Sequence, residues 1–411
     1  MTVQYFAERR ARLIDALPDN SLAVFFSGEE LIASRDTGLP YWVSRNFYYL
    51  TGLDRERMVL IVSKRDGQGQ SRLWIERPEP DREKWTGYRM RKEAATAASG
   101  IEDISFTEDF TAALPRLLQG IEHLYADLDR LTWEGPKTRE ETFVSDLRER
   151  FLSLQIHNVG GLLADLRLIK SPDEVDSLRK AIAITWDGIE RMLKASRSGL
   201  MEYQLEAEFN YALMQQGVRQ MGYPSIVASG ANAVVLHYNT NAAKTQDGDL
   251  VLLDLGAQYN HYSADISFTF PVNGKFTERQ RAFYEIVWQA LTETAAQVRP
   301  GATWQELNDC TKRILSDGLK RLGVIQDDSE LSQYFYHGVG HFLGLDVHDV
   351  GGRDIALAPG MVVTIEPGLY IAQEGIGIRL EDDVLVTESG FEVLSQQIVR
   401  DPAAIEAIMR K

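Results

Sequence analysis

Cysteine is almost absent from this chain of 411 residues, in which Cys310 is the single example. One cysteine excludes an internal disulfide bond and a metal site built from several thiolates. Cys310 lies in the helical pattern "WQELNDCTKRILSDGLKRLG" without an adjacent histidine, so we do not expect a catalytic thiol. The chemistry must therefore be sought among the carboxylates and the seven histidines.

Long apolar runs and basic residues are also scarce. No stretch approaches the roughly 18 consecutive apolar residues of a membrane span, and the N-terminus carries charges where a signal peptide has its apolar run. We therefore expect a cytoplasmic protein without a membrane partner. Lys and Arg number 44 against 60 Asp and Glu. Because phosphate contacts need clustered basic residues, this balance argues against a nucleic-acid partner.

Length and pattern together indicate two domains. The first part alternates the strand-like runs "SLAVFFSG", "MVLIVSK", "SRLWIE" and "HLYADL" with helical ones, which predicts an α/β domain with a mixed sheet. Ser171, Pro172 and Glu174 then form the pattern of a helix N-cap, a first-turn proline and the acid of a capping box. We therefore divide the chain into domains 1–165 and 166–411.

The second domain combines long helices with strand pairs. Helical periodicity follows Thr277 and Thr303, each of which is a plausible N-cap. Two strand pairs are expected, 249–257 with 264–272 and 361–370 with 376–387. This composition predicts an α+β fold in which helices cover a curved antiparallel sheet.

Each strand pair carries two acids within apolar runs, where an unpaired charge is expensive. A turn about Tyr259–Asn260 places Asp254 opposite Asp265. Directly opposed residues have Cβ atoms about 4.5–5.5 Å apart. Two carboxylates at that distance repel each other unless a positive group lies between them.

The second strand pair repeats the arrangement, because a turn at Gln373–Glu374 places Glu366 opposite Glu381. Arg379 or backbone N–H groups could neutralise such acids structurally, but one arginine cannot neutralise four carboxylates. The alternative is a pair of divalent cations held by carboxylates and one imidazole. That ligand set suits Mn²⁺, with Co²⁺, Fe²⁺ or Zn²⁺ as other candidates.

Histidines concentrate in "YHGVGHFLGLDVHDVGG", residues 336–352, which contains His337, His341 and His348. Glycines between them allow close backbone approach. Taken alone, a histidine is more often a hydrogen-bonded core residue than a ligand or a catalytic group.

The order Asp254, Asp265, His341, Glu366, Glu381 resembles the ligand order of the pita-bread metallopeptidases. The resemblance is greatest to the branch of Xaa-Pro aminopeptidase (aminopeptidase P) and prolidase. It extends to "NFYYLTGL", "LRLIKSPDEV", "GMVVTIEPGLY" and "GIGIRLEDDVLVT", and so covers nearly the whole chain. It implies a creatinase-like α/β domain over 1–165, for substrate access and oligomerisation, and a catalytic pita-bread domain over 166–411.

Carried over to this sequence, the resemblance implies two metal ions. Asp265 and Glu381 would bridge both ions, Asp254 would complete one site, and His341 with Glu366 would complete the other. Glu366 would also move the proton of the attacking water.

Three further histidines, His237, His337 and His348, are implied to face the substrate, with His348 donating to the developing oxyanion. Arg379 would orient a bridging acid or a substrate carbonyl, or would form a structural ion pair. Relatives often carry Arg or Lys where this chain has Phe268, which puts a cross-site ion pair at that position in doubt.

Relatives of this branch often assemble so that one subunit reaches over the active site of another. Trp85, in "DREKWTGYRM", resembles such a reaching residue, although a tryptophan buried in its own domain is an alternative. We therefore expect a homo-oligomer, a dimer or a tetramer, that binds peptides beginning Xaa-Pro.

Several functions remain open from the sequence. The first is an aminopeptidase that releases the residue before proline from longer peptides, and the second is a prolidase restricted to the dipeptide. A metal-free peptide-binding module or an amidino hydrolase would lack part of the ligand set. A methionine aminopeptidase would not need the N-terminal domain.

Overall fold

A computed structural model describes residues 2–130 and 132–410. The chain divides into two compact units, of which the first ends at Leu166 and the second begins at Arg167. The sequence-based boundary was drawn between residues 165 and 166.

The first unit is built on a six-stranded mixed sheet. The strands of the first unit are β1 (Ser21–Phe26), β2 (Ile32–Ser34), β3 (Thr37–Gly38), β4 (Val59–Arg65), β5 (Gln68–Ile75), β6 (Ile104–Phe106), β7 (His123–Ala126) and β8 (Gln155–Asn158). Strands β2 and β3 pair with each other in a separate two-stranded sheet. The order of the six-stranded sheet is β6-β5-β4-β1-β7-β8. Strand β4 is antiparallel to both neighbours, whereas β1, β7 and β8 are mutually parallel. The predicted mixed sheet is therefore confirmed.

Helices surround this sheet because its central strands are apolar on both faces. All six residues of β1 are buried, as expected for a strand covered on each side. The helices are α1 (Val3–Ala16), α2 (Arg45–Thr51), α3 (Pro80–Thr86), α4 (Lys92–Ser99), α5 (Phe110–Leu117), α6 (Arg139–Arg150) and α7 (Gly160–Leu168).

Within residues 167–410, the strands of the second unit pair in antiparallel ladders. Its strands are β9 (Ile226–Ser229), β10 (Leu250–Leu255), β11 (Gln258–Tyr259), β12 (Tyr262–Ser263), β13 (Ile266–Pro271), β14 (Val362–Ile365), β15 (Gly368–Ile371), β16 (Ile376–Arg379), β17 (Asp382–Val386) and β18 (Phe391–Val393). Its helices are α8 (Pro172–Ala195), α9 (Glu202–Gln215), α10 (Glu278–Ala295), α11 (Trp304–Arg321) and α12 (Pro402–Met409). Among the helices of residues 2–130 and 132–410, none is long and apolar enough to cross a membrane.

The long helices begin where their capping residues predicted. The side chains of Thr277 and Thr303 each accept a hydrogen bond from the backbone N–H three residues later, at 3.2 Å in both cases. At the start of α8, the Glu174 carboxylate accepts from the Ser171 N–H at 2.8 Å. These contacts satisfy donors that the first helical turn leaves without partners.

The first hairpin differs from its predicted register. Asp254 lies opposite Ser267, not opposite Asp265, because the turn is one residue later, at Asn260 and His261. Both turn residues have positive φ, 50° and 62°, as a two-residue type I′ turn requires. Moving the turn by one residue displaces the pairing by two. Since side chains alternate with a period of two, both acids stay on the same face.

The second hairpin has the predicted register. Strand β14 pairs with β17 (Ile365 opposite Asp382), and β15 pairs with β16 (Gly368 opposite Arg379). Both ladders have one common register, which places Glu366 opposite Glu381 in the short break between them. The predicted strands are thus each divided in two at these acids.

The corrected turn predicts a specific pattern of stability. We expect Asn260→Val to lower the free energy of unfolding by about 1–2 kcal/mol, because a β-branched side chain is strained at positive φ. Asn260→Gly keeps the backbone conformation accessible and should stay close to the wild type. Both variants lose the 3.3 Å contact of the Asn260 amide with the Ser177 hydroxyl, so their difference reports the backbone. Equal unfolding midpoints in urea would contradict the type I′ turn.

Candidate metal centre and catalytic site

Nine of the residues selected from the sequence line one cavity of about 650 Å³ in the second unit. They are Asp254, Asp265, His341, Glu366, Glu381, His237, His337, His348 and Arg379. The acids lie on or beside the strands of the two hairpins, and the histidines lie on the loops.

Three of these side chains come close enough to share one cation. Asp265, His341 and Glu381 each offer a ligand atom, and these atoms all lie within 4.8 Å of one another. The His341 Nε2 atom is 3.2 Å from Asp265 Oδ2 and 3.9 Å from Glu366 Oε1. Oxygen ligands with one imidazole fit a divalent cation such as Mn²⁺.

His341 is held in the orientation of a metal ligand. Its Nδ1–H donates to the Phe342 carbonyl at 3.0 Å, which directs Nε2 towards the carboxylates. Its backbone N–H donates to the Thr364 hydroxyl at 3.0 Å. Gly340 permits this approach, because a Cβ at that position would collide with the Thr364 carbonyl oxygen.

Asp254 belongs to the same wall but has its own partners. Its Oδ2 accepts from Arg379 at 2.7 Å, and its Oδ1 lies 2.7 Å from the Tyr223 hydroxyl. The same hydroxyl is 2.5 Å from Asp265 Oδ1. Tyr223 therefore joins the two carboxylates of the first hairpin, and Arg379 neutralises one of them.

The remaining carboxylates lack sufficient positive charge. Burial is the largest cause that raises the pKa of Asp265, and the charge of Asp254 adds to it. Burial raises the pKa of Glu366 to about 7, and that of Glu381 well above its usual range, with Asp265 contributing. Such shifts arise where like charges share a buried site. A divalent cation is the species that would stabilise their ionised forms, so the residues fit a metal site.

His337 takes part in a chain of hydrogen bonds. Its Nδ1–H donates to the Gly338 carbonyl at 2.7 Å, and its Nε2 is 2.8 Å from the Tyr370 hydroxyl. Arg379 in turn donates to that hydroxyl at 3.1 Å. Burial, followed by the charge of Arg379, lowers the pKa of His337 to about 4. His337 is therefore neutral at physiological pH.

His348 packs edge-on against His341, with ring centroids 4.3 Å apart. Burial, and then the nearby His341 and His237, lower its pKa. The next residue, Asp349, is buried between two cations, with Arg167 at 2.5 Å and Lys170 at 3.1 Å. This buried ion cluster anchors the loop that carries His348.

Two of the residues selected from the sequence, His237 and Trp85, are exposed and are not part of the buried ligand cluster. His237 is exposed, on a loop that borders the cavity. Trp85 lies in α3 of the first unit with 89% of its surface exposed, so the alternative of a tryptophan buried in its own domain is wrong. Whether Trp85 meets a substrate stays a prediction.

Phe268 points away from the site. It is fully buried, and its ring centroid lies 6.0 Å from that of Trp186. The Arg400 guanidinium lies 5.5 Å from the centre of the Phe268 ring and donates to Asp382 at 3.0 Å and to the Glu381 carbonyl. A basic group thus lies beside the strand, although it comes from a different part of the chain.

The sequence analysis missed Tyr223, Ser267 and Tyr370. Ser267 binds Glu381 at 2.8 Å and also accepts from Arg379 at 2.8 Å. Its signal was present, since the polar residues of "DISFTF" alternate with apolar ones and share a face with Asp265. The two tyrosines gave no comparable signal, because an isolated tyrosine is equally typical of a core.

Family models match both units of the chain. The model described as "Metallopeptidase family M24" matches residues 176–388. The model described as "Aminopeptidase P, N-terminal domain" matches residues 6–125.

Individual relatives are similar over their full length. Xaa-Pro aminopeptidase of Escherichia coli is 36% identical over 435 residues, covering 99% of this chain and 97% of the relative. A putative aminopeptidase P from Bacillus anthracis has a structure with a TM-score of 0.98 and 44% identity, covering 100% of this chain and 98% of that one. The structure of zinc-substituted E. coli aminopeptidase P in complex with product has a TM-score of 0.94 and 35% identity, covering 100% and 99%.

The repulsion among the buried acids predicts how a cation affects stability. We expect Mn²⁺ at about 100 times its dissociation constant to stabilise the protein by about 2.7 kcal/mol for each site filled. Glu381→Gln should lose most of this gain, because Glu381 belongs to the group of three close ligands. Thermal unfolding with and without chelator measures the effect, and an equal gain in the variant would contradict the assignment.

The raised pKa of Glu366 predicts how the stability of the metal-free protein changes with pH. In the metal-free folded state its proton is retained to about pH 7, whereas its usual pKa is 4.5. Between these values the unfolded state has released the proton and the folded state has not, so the stability contributed by this group falls as the pH rises. In the presence of a chelator, Glu366→Gln should reduce the fall in the free energy of unfolding between about pH 4.5 and about pH 7. A profile parallel to that of the wild type would be inconsistent with a buried, protonated Glu366.

The anchor of the His348 loop makes a separate prediction. Asp349→Asn should lower the free energy of unfolding by about 3–5 kcal/mol, because it removes the buried carboxylate that Arg167 and Lys170 share. Asp346→Asn is a matched control, since Asp346 also binds Arg167, at 2.6 Å, but is 44% exposed. Its cost should be below about 1 kcal/mol. Similar losses in both variants, measured by urea unfolding, would disprove the buried clamp.

Proposed function

The chain belongs to metallopeptidase family M24, and from this premise we propose that it is a metal-dependent Xaa-Pro aminopeptidase. It releases the first residue from peptides that have proline in the second position. The observation that carries the proposal is the convergence of five potential ligands, three histidines and Arg379 on one cavity of the second unit.

The site would hold two divalent cations, most suitably Mn²⁺. Asp265 and Glu381 would serve both cations, Asp254 would complete one site, and His341 with Glu366 would complete the other. Bound there, the cations supply Lewis-acid activation of a water molecule and of the scissile carbonyl. Co²⁺, Fe²⁺ and Zn²⁺ are compatible with the same ligands.

The proline ring of the substrate is placed against His337. The His337 ring lies edge-on to Phe335, with centroids 4.7 Å apart, and beside Tyr370 at 5.6 Å. Both ring nitrogens already have partners, so the imidazole presents a neutral, largely apolar surface. Such a surface favours packing of a pyrrolidine ring. It does not require a hydrogen bond from the proline nitrogen, which carries no proton in an Xaa-Pro peptide bond.

The polar groups of the cavity handle charge and protons. His348, with its lowered pKa, is neutral and can donate one N–H to the oxygen of the scissile carbonyl as negative charge develops. Glu366 can accept a proton from water and deliver it to the departing proline nitrogen. His237 contacts the residues around proline from the exposed side of the cavity.

Oligomerisation provides the last element of the proposal. Trp85 has 89% of its surface exposed, which suits a side chain that contacts a neighbouring subunit of a dimer or tetramer. Packed against the substrate there, it adds binding energy for peptides that continue beyond proline. A cytoplasmic location remains the expectation from the sequence.

The assignment of His341 as a metal ligand and of His348 as an oxyanion donor can be tested directly. We expect His341→Ala to lose bound metal, measured by elemental analysis after dialysis. His348→Ala should retain its metal yet lose kcat by on the order of 10²–10³, because it removes a donor to the oxyanion. Metal loss in His348→Ala, or an active and metal-free His341→Ala, would reverse the two assignments.

Peptide length separates an aminopeptidase from a prolidase. The Mn²⁺-loaded protein should cleave an Xaa-Pro-Yaa tripeptide with a higher kcat/KM than the matching Xaa-Pro dipeptide. Trp85→Ala should narrow this difference, since it removes binding energy remote from the scissile bond. Trp133→Ala is the matched control, a tryptophan that is 95% exposed in the same unit. Cleavage of the dipeptide alone would assign the protein as a prolidase.

A further inference from the structure

His237 is carried by a segment without a strand of its own. This segment, residues 230–243, is called here the His237 loop; it follows β9 and begins with a short 3₁₀ helix, Gly230–Val234. Leu236 and Tyr238 pack against a buried cluster that includes Tyr370. His237, between them, is exposed and borders the cavity. The position of its imidazole therefore depends on how the loop is held.

One buried carboxylate binds both ends of this loop. Glu202, the first residue of α9, has no exposed surface. Its Oε1 accepts from the N–H and the hydroxyl of Ser229, both at 2.7 Å, and from the Asn232 amide at 3.1 Å. Its Oε2 accepts from the Tyr238 hydroxyl and from the Ala243 N–H, both at 2.8 Å. Each oxygen thus holds one end of the loop.

The hydrogen bonds require an ionised carboxylate. Burial by itself raises the pKa of Glu202, but the hydrogen bonds from Ser229, Ala243 and Tyr238 outweigh it and lower the pKa. All five contacts come from donors, so both oxygens must accept. A glutamine would turn an NH₂ group towards one set of donors and release one end of the loop.

We propose that Glu202 is a positioning residue for His237, which fixes this histidine over the cavity by holding the two ends of its loop. Tyr238 makes the link direct, because it is the neighbour of His237 and donates to Glu202. The inference rests on the proposed function, in which His237 contacts the substrate. Glu202 itself does not line the cavity and touches no reacting group.

A double-mutant cycle tests this role. In the Mn²⁺-loaded protein, Glu202→Gln should lower kcat/KM for an Xaa-Pro-Yaa peptide by about 10- to 100-fold, the scale of a small misplacement of a catalytic contact. In a His237→Ala background the same substitution should change kcat/KM by less than about twofold, because there is no imidazole left to position. Bound metal should be unchanged in all four proteins. Additive losses in kcat/KM would overturn the proposal.

Two further variants distinguish the mispositioning of His237 from a general loss of stability. Tyr238→Phe keeps the Glu202 carboxylate, removes the hydroxyl that donates to it beside His237, and should show the same non-additivity with a smaller loss, even if Glu202→Gln folds poorly. Glu406→Gln is the control, since Glu406 also accepts a backbone N–H, from Phe276 at 3.1 Å, and binds Arg281 at 2.8 Å in the same unit. It should lower the unfolding temperature without changing kcat/KM. A loss of kcat/KM in Glu406→Gln as large as in Tyr238→Phe would mean that instability alone explains the effect.

An NMR measurement tests the positioning of His237 independently of the proposed catalytic activity. The ¹³Cε1–¹H signal of His237 is identified by its absence from His237→Ala. It should shift or broaden in Glu202→Gln and in Tyr238→Phe, and stay unchanged in Glu406→Gln. If the wild type fails to cleave Xaa-Pro peptides while this shift is present, the proposed function fails and the positioning stands. An unchanged His237 signal in Glu202→Gln would refute the positioning, whatever the activity.

Discussion

The repulsion among buried carboxylates is the constraint on which the second unit depends. Asp265 and Glu381 are buried with Glu366 and Asp254 on the same cavity wall. The cationic partners of these four acids are Arg379, 2.7 Å from Asp254, and His341, 3.2 Å from Asp265. Burial and mutual charge oppose ionisation, so the pKa values of three of these acids rise. A protein retains such an arrangement only if something compensates for its cost, and a divalent cation does so.

The two hairpins supply these acids: Asp254 lies on β10, and the other three acids lie in short breaks directly beside strand ends. On β13 the polar side chains of Ser267 and Thr269 share the face of the preceding Asp265, whereas Phe268 fills the core on the other face. A ligand on a paired strand, or directly beside its end, has little freedom to move, which suits a site that must hold like charges at fixed distances. The interruption of both ladders at Glu366 and Glu381 gives these side chains room to enter the cavity.

The histidines are positioned differently from the acids. They lie on loops, which have no strand pairing to fix them and therefore need separate anchors. Asp349, buried between Arg167 and Lys170, fixes the loop of His348. Glu202 fixes the ends of the loop of His237. In both cases an ionised acid that is not a proposed metal ligand holds the loop, because several strong hydrogen bonds can converge on two oxygens. Loops then tolerate exposure to substrate without losing their conformation.

Sequence by itself determined the elements and the ligand order. Thr277 and Thr303 marked helix starts, the apolar runs marked the mixed sheet, and the second hairpin was placed in its true register. The first hairpin was misplaced by two residues, since the pattern fixes the face of a strand but not its exact partner. Only the tertiary structure decided that Tyr223 joins two acids, that Phe268 turns inward, and that Glu202 holds a loop tens of residues away. Such contacts unite distant parts of the chain, and their side chains have no local periodicity from which a partner could be predicted.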